Sequence, residues 1–228
     1  MGNAIIPKPY LLGYICGEDT ELSIVAFLEL CFRIFAIKKM MKSHLKYIVF
    51  VLFIFIGLSF IQKNENKIYW TKDYRLTWDD YLAKPPAASK HGAVSGVNMG
   101  PYYEFKNNIL EIDTRSYFDK FKSWSKKNLQ SDDALKHEQG HFDIAEIYAR
   151  KFRKEITGCK FKSKNLKEKL EEKIHKIYSE YIQYQDLYDN ETNHHINKEK
   201  QLVWNDKIVK ELKELEIYTE TQLAIEVK

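Results

Sequence analysis

From Leu166 onward, apolar residues return at intervals of three and four: Leu166, Leu170, Ile174, Ile177, Tyr181, Tyr184 and Tyr188. Side chains at those spacings share one face of a helix, so the pattern predicts a helix with a single apolar stripe. Trp204, Ile208, Leu212 and Leu215 repeat the spacing and predict another. An earlier helix is predicted from Ser131 to about Ile156. Ser131 is a good N-cap, Asp132 and Asp133 suit the positive end of the helix dipole, and Gly158 stops it.

Upstream the pattern shortens to strand-like pieces, at Lys67–Trp70, Arg75–Trp78, Ala93–Met99, Tyr102–Lys106 and Ile109–Asp113. Asn107 and Asn108 separate the last two, and both tolerate positive φ, which predicts a tight hairpin. Trp78–Tyr81 is expected to open a short helix. The fold class implied is α+β: a small antiparallel sheet packed against about three helices.

Further upstream the character changes again. Tyr47–Ile61 is an uncharged apolar run of 15 residues, preceded by Lys38, Lys39, Lys42 and Lys46. A basic flank before such a run is the layout of a secretory signal. It is short against the roughly 20 residues of a bilayer span. No small-x-small cleavage site follows it, so residues 41–62 read as a signal peptide or an uncleaved membrane anchor. Either way the chain after Gln62 is expected outside the cytoplasm, secreted or in the cell envelope. Residues 1–40 read as an extension that is non-native or disordered, with Met40 or Met41 as the expected start. The domain is expected at 67–218, with 219–228 as a tail.

Charge narrows the function classes. The whole chain is +4, but six basic and four acidic residues precede Gln62, leaving 30 basic and 28 acidic after it. That balance carries no footprint for nucleic acid. The local excess at Lys151–Lys169, eight basic residues against two Glu, reads as a solvated helix end and linker. Cys16 and Cys31 precede the apolar run and Cys159 follows it, so an exported domain holds one cysteine and no disulfide framework.

The chemistry lies in the first of the three helices, in His137-Glu138-Gln139-Gly140-His141. Histidines four apart lie one turn apart on one face, within reach of a single metal ion. Zinc accepts neutral imidazole nitrogen and keeps an open position for water in catalytic sites. Glu138 is next to a ligand but rotated around the helix. It can therefore take the proton of a water whose pKa zinc lowers to about 7. The same face continues through Ile144, Ala145, Tyr148 and Phe152, so both histidines should point inward.

A catalytic site needs a third protein ligand. Position 147, where one arrangement has a histidine, is Ile. The richest group of donors is Asp189-Asn190-Glu191-Thr192-Asn193-His194-His195, at the junction of the last two helices. If those helices pack antiparallel, this turn returns over the active-site helix. His194 is the preferred ligand, with Glu191, His195, and Glu168, Glu171, Glu172 or Glu180 as alternatives. Asp189 is expected to orient a ligand ring or to cap a helix. His91 and His175 read as surface residues. Tyr184, Tyr188 and His195 are candidates for stabilising an oxyanion, and the Ala93–Met99 edge for aligning an extended peptide.

Three segments carry a resemblance: Leu76-Thr77-Trp78-Asp79-Asp80-Tyr81, the run HEQGHFDIAEIYARKFRK from His137 to Lys154, and YDNETNH from Tyr188 to His194, followed by Gln201 and Trp204. They resemble an uncharacterised bacterial family of predicted secreted zinc-dependent peptidases, over about Trp70–Leu215. The resemblance implies a zincin-like active-site helix, zinc on His137, His141 and His194, Glu138 as general base, and a peptide or protein substrate. In that family small residues, often glycine, commonly follow the histidine matched by His194, whereas this chain has His195. Two rivals share the motif: a zinc hydrolase of cell-wall peptides or esters, and a non-catalytic envelope module with a structural metal. The sequence sets no oligomeric state.

Overall fold

A computed structural model describes residues 66–228. The apolar run 47–61 with its basic flank, the proposed start, Cys16 and Cys31 lie outside them. No helix among the described residues is long and apolar enough to cross a membrane.

The domain is α+β. Its sheet has β1 (Lys67–Tyr69), β3 (Val97–Lys106), β4 (Ile109–Asp119) and β6 (Gln222–Glu226), and a separate two-residue ladder joins β2 (Ala93–Val94) to β5 (Trp124–Ser125). The helices are α1 (Asp132–Thr157), α2 (Leu166–Thr192) and α3 (Lys198–Glu214). β4 is central. β3 pairs with it from Ile109 to Phe118, while β6 and β1 share the other edge, opposite Ile109–Asp113 and Tyr117–Asp119. The β3–β4 hairpin turns on Asn107 and Asn108, at φ 52° and 62°, as their tolerance of that region allows.

β4 explains the layering. Leu110, Ile112, Thr114, Ser116 and Phe118 alternate with more exposed residues and form one buried face. α1 packs on this face at Phe142, whose ring meets Phe118, and at Glu146 and Arg153, while Tyr148 turns to Tyr181 and Tyr184 of α2, and both α2 and α3 pack against α1. One polar clamp crosses the interface. Buried Glu146 accepts from Ser116 Oγ (2.6 Å), Arg150 Nε (2.9 Å) and Arg153 Nη2 (2.7 Å), and Arg153 also donates to the Thr114 carbonyl.

The helix ends follow their capping chemistry. The Ser131 side chain accepts from the Ala134 amide at 3.1 Å, and Asn197 caps α3 by accepting from Lys200 N–H. Three sequence expectations change. Arg75–Trp78 forms no strand, because Leu76 N–H bonds the Gln139 side chain and Thr77 caps a 3₁₀ turn at Trp78–Asp80. Ala93–Met99 is two strands, broken at Ser95-Gly96. Residues 219–228, expected as a tail, supply β6, and Val227 is buried. The alternation in Leu223 and Ile225 is too short to stand out until β4 offers an edge.

Candidate metal centre

α1 projects His137 and His141 toward α2 and α3, with both rings largely buried. Each ring is held by a glutamine from a neighbouring helix. Gln201 Oε1, on α3, lies 2.9 Å from His137 Nδ1, and Gln185 Oε1, on α2, lies 2.5 Å from His141 Nδ1. The amide orientations are set by their other ends. Gln201 Nε2 donates to Tyr188 Oη and Asn205 Oδ1, and Gln185 Nε2 to the His141 carbonyl. Carbonyl oxygens only accept, so both rings carry their proton on Nδ1 and present a bare Nε2.

The two Nε2 atoms converge to 3.2 Å. Between them comes Asp189 Oδ1, from the last turn of α2, at 3.0 Å from His137 Nε2 and 2.9 Å from His141 Nε2. His194 Nδ1 approaches the same oxygen at 3.2 Å. Lone pairs from two rings and an anionic oxygen thus face one another at 2.9–3.2 Å, near the spacing of donors that share one metal ion. Only a positive charge balances them. The donor types, imidazole nitrogen and carboxylate oxygen, are those zinc takes.

Without an ion, protons must fill that role, and the titration shifts follow. Burial penalises the His141 imidazolium, but the Asp189 charge outweighs it and lifts His141 to about 9. Burial would raise Asp189, yet the His141 charge and the three imidazole contacts hold it far below the carboxylate range. His194 is raised by its hydrogen bond to Asp189, against some burial. His195 is lowered, by burial first and then by His137 and Lys198.

Glu138, 8% exposed, is oriented by a group no motif pointed to. Ser95, in the break between β2 and β3, donates to Glu138 Oε2 at 2.6 Å, and Tyr81 Oη lies 2.8 Å from Ser95 Oγ. Tyr81 belongs to the Leu76–Tyr81 segment, whose matching residues were the available signal. Gly140 has a packing reason: a Cβ there would stand 2.3 Å from Tyr188 Oη. Through that gap Tyr188 stacks on the His137 ring, 4.5 Å between centroids, and donates to the His137 carbonyl. Gln201 and Tyr188 are therefore supports of the site.

The other candidates are placed as follows. Glu191 accepts from Trp204 Nε1, Glu180 and Glu171 face Lys176 and Lys167, and Glu168 and Glu172 are exposed. Tyr188 is buried and its hydroxyl is engaged, and Tyr184 donates to Glu211, so neither hydroxyl is free for an oxyanion. His195 lies on the site, 6.0 Å from His137 between ring centroids. His175 is exposed, as read. His91 is exposed too, but its ring stands edge-on to His194 at 5.5 Å, so a loop from the first half of the domain faces the centre. The α2–α3 turn is left-handed over three residues, Asn193, His194 and His195, at φ 47°, 51° and 71°.

The expected peptide-aligning edge is mostly closed. Asp119 N–H bonds the Gly96 carbonyl, so odd-numbered residues of β3 face its outer edge. There the Val97 carbonyl accepts from Tyr181, Met99 N–H bonds Asn98 Oδ1, and Pro101 has no N–H.

A family model described as "Bacterial protein of unknown function (DUF922)" matches residues 110–195. The match is to a family without an assigned activity. It runs from β4 through the left-handed turn, so it holds His137, Glu138, His141, Asp189, His194 and His195 and ends before Gln201. No curated protein and no solved structure matches the chain.

Proposed function

We propose that this chain is an exported zinc-dependent hydrolase, a peptidase that breaks amide bonds with Glu138 as general base. One observation supports this above the rest. Two imidazoles, each locked by a glutamine carbonyl, aim bare Nε2 atoms at a common point beside an anionic oxygen. Outer partners of this kind fix ring tautomers at zinc sites.

His137 and His141 would hold the ion, with a third donor from the Asp189–His194 segment. When bound, zinc supplies Lewis acidity that acidifies water and polarises a carbonyl. The chain's own residues do the rest. Ser95 fixes one oxygen of Glu138, so the carboxylate is aimed before substrate arrives. Its remaining lone pairs can take a proton from the attacking water and pass it to the leaving amine. The apolar run after a basic flank supports export, by cleavage or by anchoring through residues 47–61.

The test is the full chain with zinc, assayed on unfolded polypeptide, with metal content from elemental analysis. Glu138→Gln should cut turnover by about 10²–10⁴-fold and leave zinc content unchanged. Turnover that survives the substitution, or wild-type protein that takes up no zinc, refutes the proposal. Activity on muropeptides alone would move the substrate to the cell wall.

A further inference from the structure

Sequence spacing favours His194 as the third protein ligand and leaves Asp189 to orient a ring. The distances argue for the opposite roles. His137 Nε2, His141 Nε2 and Asp189 Oδ1 form a triangle with edges of 3.2, 3.0 and 2.9 Å. Donors arranged tetrahedrally at zinc bond lengths of about 2.0–2.1 Å are separated by roughly 3.3–3.4 Å. The triangle is one face of that tetrahedron, slightly contracted. His194 stands outside that face: its donor lies within 4.8 Å of those of His137 and Asp189, but among the described residues its Nδ1 comes within hydrogen-bonding distance only of Asp189 Oδ1, at 3.2 Å.

The supporting structure agrees. Asp189 lies on regular helix, one turn after Gln185 and next to Tyr188, the residues that hold His141 and His137. Its side chain is 31% exposed and, among the described residues, meets no polar donor besides the three imidazoles. Glu138, by contrast, is tied to Ser95, and Glu191 to Trp204. His194 is 51% exposed and stands in the left-handed turn. It has neither the burial nor the rigid element of the other donors.

We propose that Asp189 is the third protein ligand and that His194 is a positioning residue, donating Nδ1–H to the Asp189 carboxylate. The inference rests on the zinc reading above. Two neutral imidazoles and one carboxylate leave a divalent ion with net charge +1, where three imidazoles would leave +2. It also frees the exposed His194 and His91 rings to face substrate.

Zinc-edge X-ray absorption on the wild-type full chain tests this without a substitution: two imidazoles with carboxylate oxygen are expected, and three imidazoles overturn the proposal. Zinc affinity, by competition with a chromophoric chelator, gives the second readout. Asp189→Ala should weaken binding at least tenfold more than His194→Ala, whose loss should stay within the 10–100-fold of an outer partner. His194→Asn, which keeps a donor, should recover most of the His194→Ala loss. A larger loss for His194→Ala than for Asp189→Ala overturns the assignment while the zinc reading stands. Wild-type protein that binds no zinc overturns both.

Discussion

Replacing His195 with glycine should make the protein more stable, although it deletes a whole side chain. His195 sits at φ 71°, the last of three consecutive left-handed residues. An L-residue there brings its Cβ close to the following carbonyl, at about 1–2 kcal/mol per residue. Glycine removes that contact but loses about 0.4–1 kcal/mol through its freer unfolded chain. The balance is about 0.5–1 kcal/mol in favour of glycine. In a domain of this size that raises Tm by roughly 1–4 °C. His195→Ala is the needed control, since it removes the ring and keeps the Cβ. Urea and thermal unfolding of both variants in chelator would isolate the backbone contribution, and zinc stoichiometry should stay at the wild-type value in each. A glycine variant no more stable than the alanine variant would refute the strain argument. Loss of zinc from both would make His195 a ligand.

Three other outcomes follow from the packing. Gly140→Ala would drive a Cβ to 2.3 Å from the buried Tyr188 hydroxyl, so unfolding in urea should show a loss of about 1–3 kcal/mol or more, together with weaker zinc retention. Glu146→Leu leaves Arg150 and Arg153 buried without their carboxylate and should cost about 3–5 kcal/mol by the same assay; a neutral result would mean the clamp is solvated. In metal-free protein, His141 is lifted to about 9 from its ordinary 6.5, chiefly by Asp189 working against burial. A raised folded-state value adds stability that is complete below pH 6.5 and lost as pH climbs through 9. Metal-free wild type should therefore lose Tm relative to Asp189→Asn between those limits, and parallel profiles would contradict the coupling.

Local chemistry determined much of this protein from sequence alone. The three helices were readable because apolar spacing and caps act over three or four residues, and Ser131, Asn107 and Asn108 do in the structure what their types allow. The His137–His141 pair was readable for the same reason: one helical turn brings the rings together whatever surrounds them. The rest of the site is assembled by residues far apart in the chain. Gln201 meets His137 across 64 positions, Gln185 meets His141 across 44, and Ser95 meets Glu138 across 43. Ser95 and Gln185 belong to no short motif, and Gln201 stood out only through the family resemblance, so no spacing rule assigns the three their partners. The choice between Asp189 and His194 belongs to the same class, because it depends on which atom the end of α2 delivers to the two imidazoles. Gln222–Glu226, inside the expected tail, became a strand only because β4 had an open edge. Periodicity and capping are properties of neighbours in the chain, whereas donor geometry and strand pairing are properties of neighbours in space.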